Sequence, residues 1–173
     1  MKKGKIVLFG DPVLREKSKP VTVFHKKLHA VIDMMKQTLI DRGDGAAVAA
    51  NQVGIAKRIV VINYLDEYIE MINPEILRAE GSQTDYEGCL SLPGLSGTVT
   101  RAETVEVRFV TRDGKERKIT RSGRMARCIQ HEIDHLDGVL YIDRLDESFV
   151  IDNDSDEKIE VKDILDGKYS FVI

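Results

Sequence analysis

The residues most able to do chemistry sit in one short run, His131-Glu132-Ile133-Asp134-His135. Two histidines four apart share one helix face about one turn apart, so their imidazoles can converge on a single metal ion. The intervening Glu132 then lies within reach of a water on that ion, where it can act as a base rather than a ligand. The chain contains its own control. His25 and His29 are also four apart, but Lys26 follows the first, so no acid stands where a base is needed, and this pair reads as surface decoration.

Two histidines do not close a catalytic centre, which uses three protein ligands and keeps a place for water. The metzincin continuation asks for a third histidine six residues on, and this chain has Tyr141 there. A downstream carboxylate such as Glu147 is one source of the missing ligand. The preferred one is Cys89, in Glu87-Gly88-Cys89-Leu90-Ser91, because a thiol next to a cation is readily deprotonated and the thiolate binds divalent metals. Cys128, on the face of His131, reads as a small buried hydrophobe lining the cleft. A divalent ion held by Cys89, His131 and His135 would bring the pKa of its water from 15.7 toward roughly 7, so hydrolysis is the expected chemistry.

The elements that position these residues follow from periodicity. Leu28, Val31, Ile32, Met35 and Leu39 mark one helix over His25 to Arg42, closed by Gly43. Met125, Cys128, Ile129 and Leu136 mark a second, with Ser122 as its expected N-cap and Gly138 as its stop. Strands are expected at Ile6 to Phe9, Arg58 to Asn63, Ile69 to Ile72, Ile76 to Gln83 and Val139 to Ile142, with a hairpin turning at Asp113-Gly114. The acidic tail, 146–173, reads as a second hairpin turning at Asp166-Gly167. The expected class is α+β, with the His-bearing helix packed among short, mostly antiparallel strands in a single domain over 1–173.

Composition narrows the partners. With 26 Lys plus Arg against 29 Asp plus Glu, no broad cationic face for nucleic acid is expected. No apolar run approaches the roughly 20 residues a membrane helix needs, and the start lacks a signal core, so a cytoplasmic protein is expected. Two cysteines make no disulfide framework.

Three ordered segments give the chain a family likeness: Gly45-Ala46-Ala47-Val48-Ala49-Ala50-Asn51-Gln52, then Glu87 to Ser91, then Gln130 to Gly138. With the entry segment Gly10 to Arg15, the chain resembles the peptide deformylases from about Lys5 to Leu145. That resemblance implies hydrolysis of the formyl group of N-formylmethionyl nascent peptides, with Fe(II) favoured over Zn(II), Ni(II) or Co(II). It implies that Gln52 and the Leu90 N–H steady the oxyanion, while Gly45, Ala46, Ala47 and Gly88 meet the peptide backbone. Cys128 and Ile129 are expected to line the methionine slot, and Arg124 and Arg127, near its rim, to pair with surface acids. By analogy, Arg101 is expected to support Glu87. A monomer is implied, with transient contact at the ribosome but no sequence-specific nucleic acid and no membrane.

The first segment departs from the family pattern, which has a second glycine where this chain has Ala47. It adds a methyl in a strand edge expected to lie against the substrate backbone. The rival readings are an amidase for other N-formyl or N-acyl amines, and a non-catalytic metal-holding or ribosome-docking relative. Intact Glu132 and Gln52 argue against the non-catalytic one, since metal storage needs neither.

Overall fold

The computed structural model describes residues 4–171. Its centre is β2 (Ile59–Tyr64), whose first four residues are all buried. A strand with apolar side chains on both faces needs cover on both. Ile59 and Val61 point to α1 (Lys26–Arg42), meeting Ile32, Met35 and Leu39, whereas Val60 and Ile62 point to α2 (Gly123–Leu136), meeting Ala126, Ile129 and Ile133.

β2 pairs antiparallel with β1 (Ala47–Ala49) on one side and β3 (Glu67–Glu80) on the other. Beyond β3 follow β6 (Thr104–Val110) and β7 (Glu116–Ser122), so the sheet runs β1-β2-β3-β6-β7 with β1 at a free edge. A second sheet runs β4 (Gln83–Cys89), β5 (Leu92–Arg101), β8 (Phe149–Asp152), β9 (Lys158–Glu160), and it too ends in a free edge, β4. Leu92, Leu95, Val99, Tyr141 and Val150 build a separate core against this sheet.

Both helices end where expected. Gly43, at φ 71°, donates its N–H to the Leu39 carbonyl and closes α1. Gly138 follows α2 at φ 73°, and a Cβ there would stand 2.5 Å from the Arg15 carbonyl oxygen, so the backbone approach itself demands glycine. Ser122 does precede α2, but its hydroxyl pairs with Thr104 across the β6–β7 hairpin instead of capping.

Four expectations need correction. Ile6 to Phe9 form no strand. They act as a clamp, Val7 N–H bonding the Gln52 carbonyl and Phe9 N–H the Ser91 carbonyl. The expected strands at Ile69 and Ile76 are one, β3, whose register shifts around Asn73-Pro74, because proline cannot donate to a ladder. Val139 to Ile142 enters a 3₁₀ turn, Tyr141–Asp143, in which the Asp143 carboxylate takes the Leu140 N–H. The tail forms its hairpin earlier, as β8–β9, and Asp166-Gly167 closes the short helix α3 (Val161–Leu165), with Gly167 at φ 73°. Tyr169 and Phe171 still pack on the second core, as apolar residues in coil. Ile173 lies outside the described residues.

Candidate active site

The free edges β1 and β4 face one another across a cleft of about 530 Å³ whose floor is α2. β4 leaves its regular ladder at the end. The pairing jumps from Gly88↔Ser96 to Cys89↔Leu92, and this irregularity, followed by the Leu90-Ser91 turn, presents the Cys89 sulfur to the helix. Ligand atoms of Cys89, His131 and His135 all lie within 4.8 Å of one another. The Cys89 Sγ is 3.3 Å from His135 Nε2. Glu147, the other source considered for a third ligand, is exposed and outside this group.

The donor set fits a divalent metal. Glu87 accepts the Nδ1 hydrogen of His131 at 2.8 Å, which leaves Nε2 as the ring nitrogen with a free lone pair. One sulfur and two imidazoles suit Fe(II), Co(II), Ni(II) and Zn(II) alike. The carboxyl of Glu132 borders the same cleft and is buried, with Oε2 unpartnered among the described residues. Burial pushes its pKa up to about 7, helped by the charge of Glu87 and opposed by His131 and Arg101. A group with that value exchanges a proton near neutrality.

Glu87 is the most heavily partnered carboxylate of the site. Arg101 meets it with two bonds, Nε to Oε2 at 2.6 Å and Nη2 to Oε1 at 2.8 Å, and reaches Asp134 with Nη1. Burial alone would favour the neutral acid, but the hydrogen bonds of Arg101 and His131 outweigh it and hold Glu87 ionised, well below the usual carboxylate range. Arg127 adds Nη1 to Oε2 at 2.6 Å and bonds the Gln83 carbonyl. The expectation that Arg127 pairs with surface acids is therefore corrected, since it is buried against Glu87. Its spacing from His131, four residues on the same helix, was the available signal. Arg124 is exposed at the cleft rim and has no ion-pair partner among the described residues.

The three motif segments are stitched together. Gln52 directs Nε2 to the Cys89 sulfur at 3.5 Å and to Ser91 Oγ at 3.2 Å, while its Oε1 takes the Ala49 N–H. Asn51 donates from Nδ2 to the His135 carbonyl at 2.6 Å. Tyr141 stacks on His131, with centroids 6.2 Å apart.

Other expected cleft residues divide. Gly45, Ala46, Ala47, Gly88, Leu90 and Cys128 all line the cleft. Burial drives the Cys128 thiol upward, so it stays neutral. Ile129 does not line it: about a quarter turn further round α2, it is buried against the first sheet.

Ala47 places its backbone, not its methyl, at the edge. Asn63 N–H bonds the Ala46 carbonyl, so residues 46 and 48 bond inward to β2 and the N–H and C=O of Ala47 point outward to the cleft. Its methyl is buried among Ala49, Ile62 and their neighbours.

The chain is similar to known proteins along most of its length. The peptide deformylase of Thermoanaerobacter pseudethanolicus is 44% identical over 155 residues, covering 90% of this chain and 94% of that protein. The crystal structure of peptide deformylase from Thermotoga maritima superposes with a TM-score of 0.82 at 38% identity, over 85% of this chain and all of that one. A Met-Ala-Ser-bound class I type b peptide deformylase from Acinetobacter baumannii gives 0.79 at 33% identity, over 83% and 99%. The model of the polypeptide deformylase family matches residues 3–149, which hold every side chain placed around Cys89, and the chain belongs to that family.

Proposed function

We propose that the chain hydrolyses the amide between a formyl group and the amino nitrogen of N-formylmethionyl peptides, yielding formate and a free N-terminus. The observation that carries this reading is the meeting of Cys89, His131 and His135, with Glu132 on the same helix beside them. Cys89, His131 and His135 would hold a divalent ion, Fe(II) in this reading, which would supply a nucleophile at neutral pH and a Lewis acid for the formyl oxygen.

The chain's own residues do the rest. Glu132 takes a proton from the attacking water and delivers it to the departing nitrogen, a role typically worth about 10²–10⁴-fold. The Gln52 amide and the Leu90 N–H donate to the oxygen as it becomes negative. The outward N–H and C=O of Ala47 pair with the extended peptide, which joins the free edge as an added strand. Gly88 leaves room at the opposite edge, where a Cβ would already press on the Leu95 carbonyl. The methionine side chain rests beside the neutral Cys128 thiol.

Substrates are nascent chains met in the cytoplasm, with transient contact at the ribosome. No helix among the described residues is long and apolar enough to cross a membrane.

The test is formate release from a formylmethionyl tripeptide by anaerobically prepared protein of measured metal content, beside Glu132→Gln. Turnover by the parent with a loss of at least about 10² in kcat for the variant, at equal metal content, is the expected result. Robust turnover by Glu132→Gln sinks the assigned role. An acetylated peptide, run in parallel, separates a deformylase from a broader amidase.

A further inference from the structure

Asn153 lies beyond residues 3–149, so family membership assigns it nothing. The tail brings it back to the cleft. β8 pairs with β5 through Leu95↔Asp152 and Ser96↔Ile151, which carries the next residue to Gly94, near the start of β5. There Asn153 lines the cleft with Pro93 and Gly94.

Its placement is fixed by two bonds. The backbone N–H meets the Gly94 carbonyl at 2.8 Å, and Oδ1 accepts the Ser96 hydroxyl at 2.6 Å. The turn behind it is braced by Asp152 Oδ1, which accepts the N–H groups of Asp154 and Ser155. With the carbonyl end of the carboxamide engaged, the Nδ2 end keeps its two donors, and no partner among the described residues takes them.

We propose that Asn153 is a specificity-determining residue, donating from Nδ2 to a backbone carbonyl of the substrate beyond its first peptide bond. The inference rests on the deformylase reading above. An extended peptide advances about 3.3 Å per residue and turns alternate carbonyls to the same side, so a fixed donor at the cleft wall selects for length rather than side chain. Asn153 is exposed, and the Ser96 bond to its carboxamide oxygen already meets part of the ordering cost of the new bond.

The experiment compares C-terminally amidated formyl-Met-Ala, formyl-Met-Ala-Ser and a tetrapeptide on the metal-loaded enzyme. The parent is expected to gain in kcat/KM as the peptide lengthens, with the gain in KM. Asn153→Ala and Asn153→Asp are expected to lose about fivefold of that gain, the size of one neutral hydrogen bond. The aspartate keeps the acceptor for Ser96 and lacks the donor, so it separates donation from a structural role. Equal length dependence in the parent and both variants overturns the proposal, as does loss in Asn153→Ala with full retention in Asn153→Asp. If the parent turns over none of these peptides, the deformylase reading fails instead.

Discussion

Glu87 accepts the Nδ1 hydrogen of His131 at 2.8 Å, so the orientation of the His131 ring on α2 is set by a carboxylate on β4. Two arginines hold that carboxylate from other sides, Arg101 on β5 and Arg127 on α2. The second sheet and α2 thereby meet at one buried anion, two residues before Cys89. Glu87→Gln is expected to weaken metal binding by about 10–100-fold, the usual cost of losing a partner behind a ligand. Competition against a chelator reads this directly. A fall in melting temperature should accompany it, since two guanidinium groups lose a buried counter-charge. Unchanged metal affinity would show that His131 needs no such support.

Gln52 carries a different prediction, because its amide donors touch the sulfur and Ser91 while its oxygen is tied to the Ala49 N–H. Gln52→Glu keeps the shape and the acceptor but replaces the donors with a negative charge beside a developing oxyanion. It is expected to lower kcat by about 10²–10³-fold with little change in KM for a formylated tripeptide. A matching rise in KM with kcat intact would assign Gln52 to binding alone.

Much of this was legible in the sequence where the pattern reports a single physical constraint. The Ile59 to Ile62 run is apolar because β2 is covered on both faces, and Gly138 is glycine because Arg15 crosses at contact distance. Patterns with two physical solutions were misread. Asp113-Gly114 joins two strands, but Asp166-Gly167 ends a helix, since left-handed glycine serves both. Leu140, Tyr141 and Ile142 are buried in a row, which a 3₁₀ turn achieves as well as a strand. Arg127 was assigned to the surface on its charge, and only the tertiary meeting with Glu87 makes its burial affordable.

Ala47 stands where the family pattern has glycine, yet its methyl is buried with Ala49 and Ile62 and its polar groups still face the cleft. Ala47→Gly is therefore expected to cost about 0.5–1 kcal/mol of stability through added chain freedom. The KM for a formylated tripeptide should stay within about twofold. Chemical denaturation and steady-state kinetics on the same preparation separate the two effects. A large improvement in KM would mean that the methyl narrows the cleft after all.

Remote from the cleft, Arg112 ties α1 to the first sheet: its Nε bonds Glu70 at 2.8 Å, its Nη2 bonds Asp33 at 3.0 Å, and its carbonyl meets His29. Burial favours the neutral form of Glu70, but the hydrogen bonds of Arg112 and Tyr68 outweigh it and lower its pKa. A carboxylate depressed in the folded state stabilises fully above its unfolded value of 4.5, and that contribution disappears as pH falls through the lower folded value. Between about pH 6 and about pH 3, the parent should therefore lose more melting temperature than Glu70→Gln does. Arg112→Met should weaken this dependence, because burial is then opposed only by the Tyr68 hydrogen bond and the Lys36 charge. Parallel acid dependence in all three proteins would show that the ion pair is worth nothing, as for exposed pairs, and that α1 is held without it, by its apolar face of Leu28, Ile32, Met35 and Leu39.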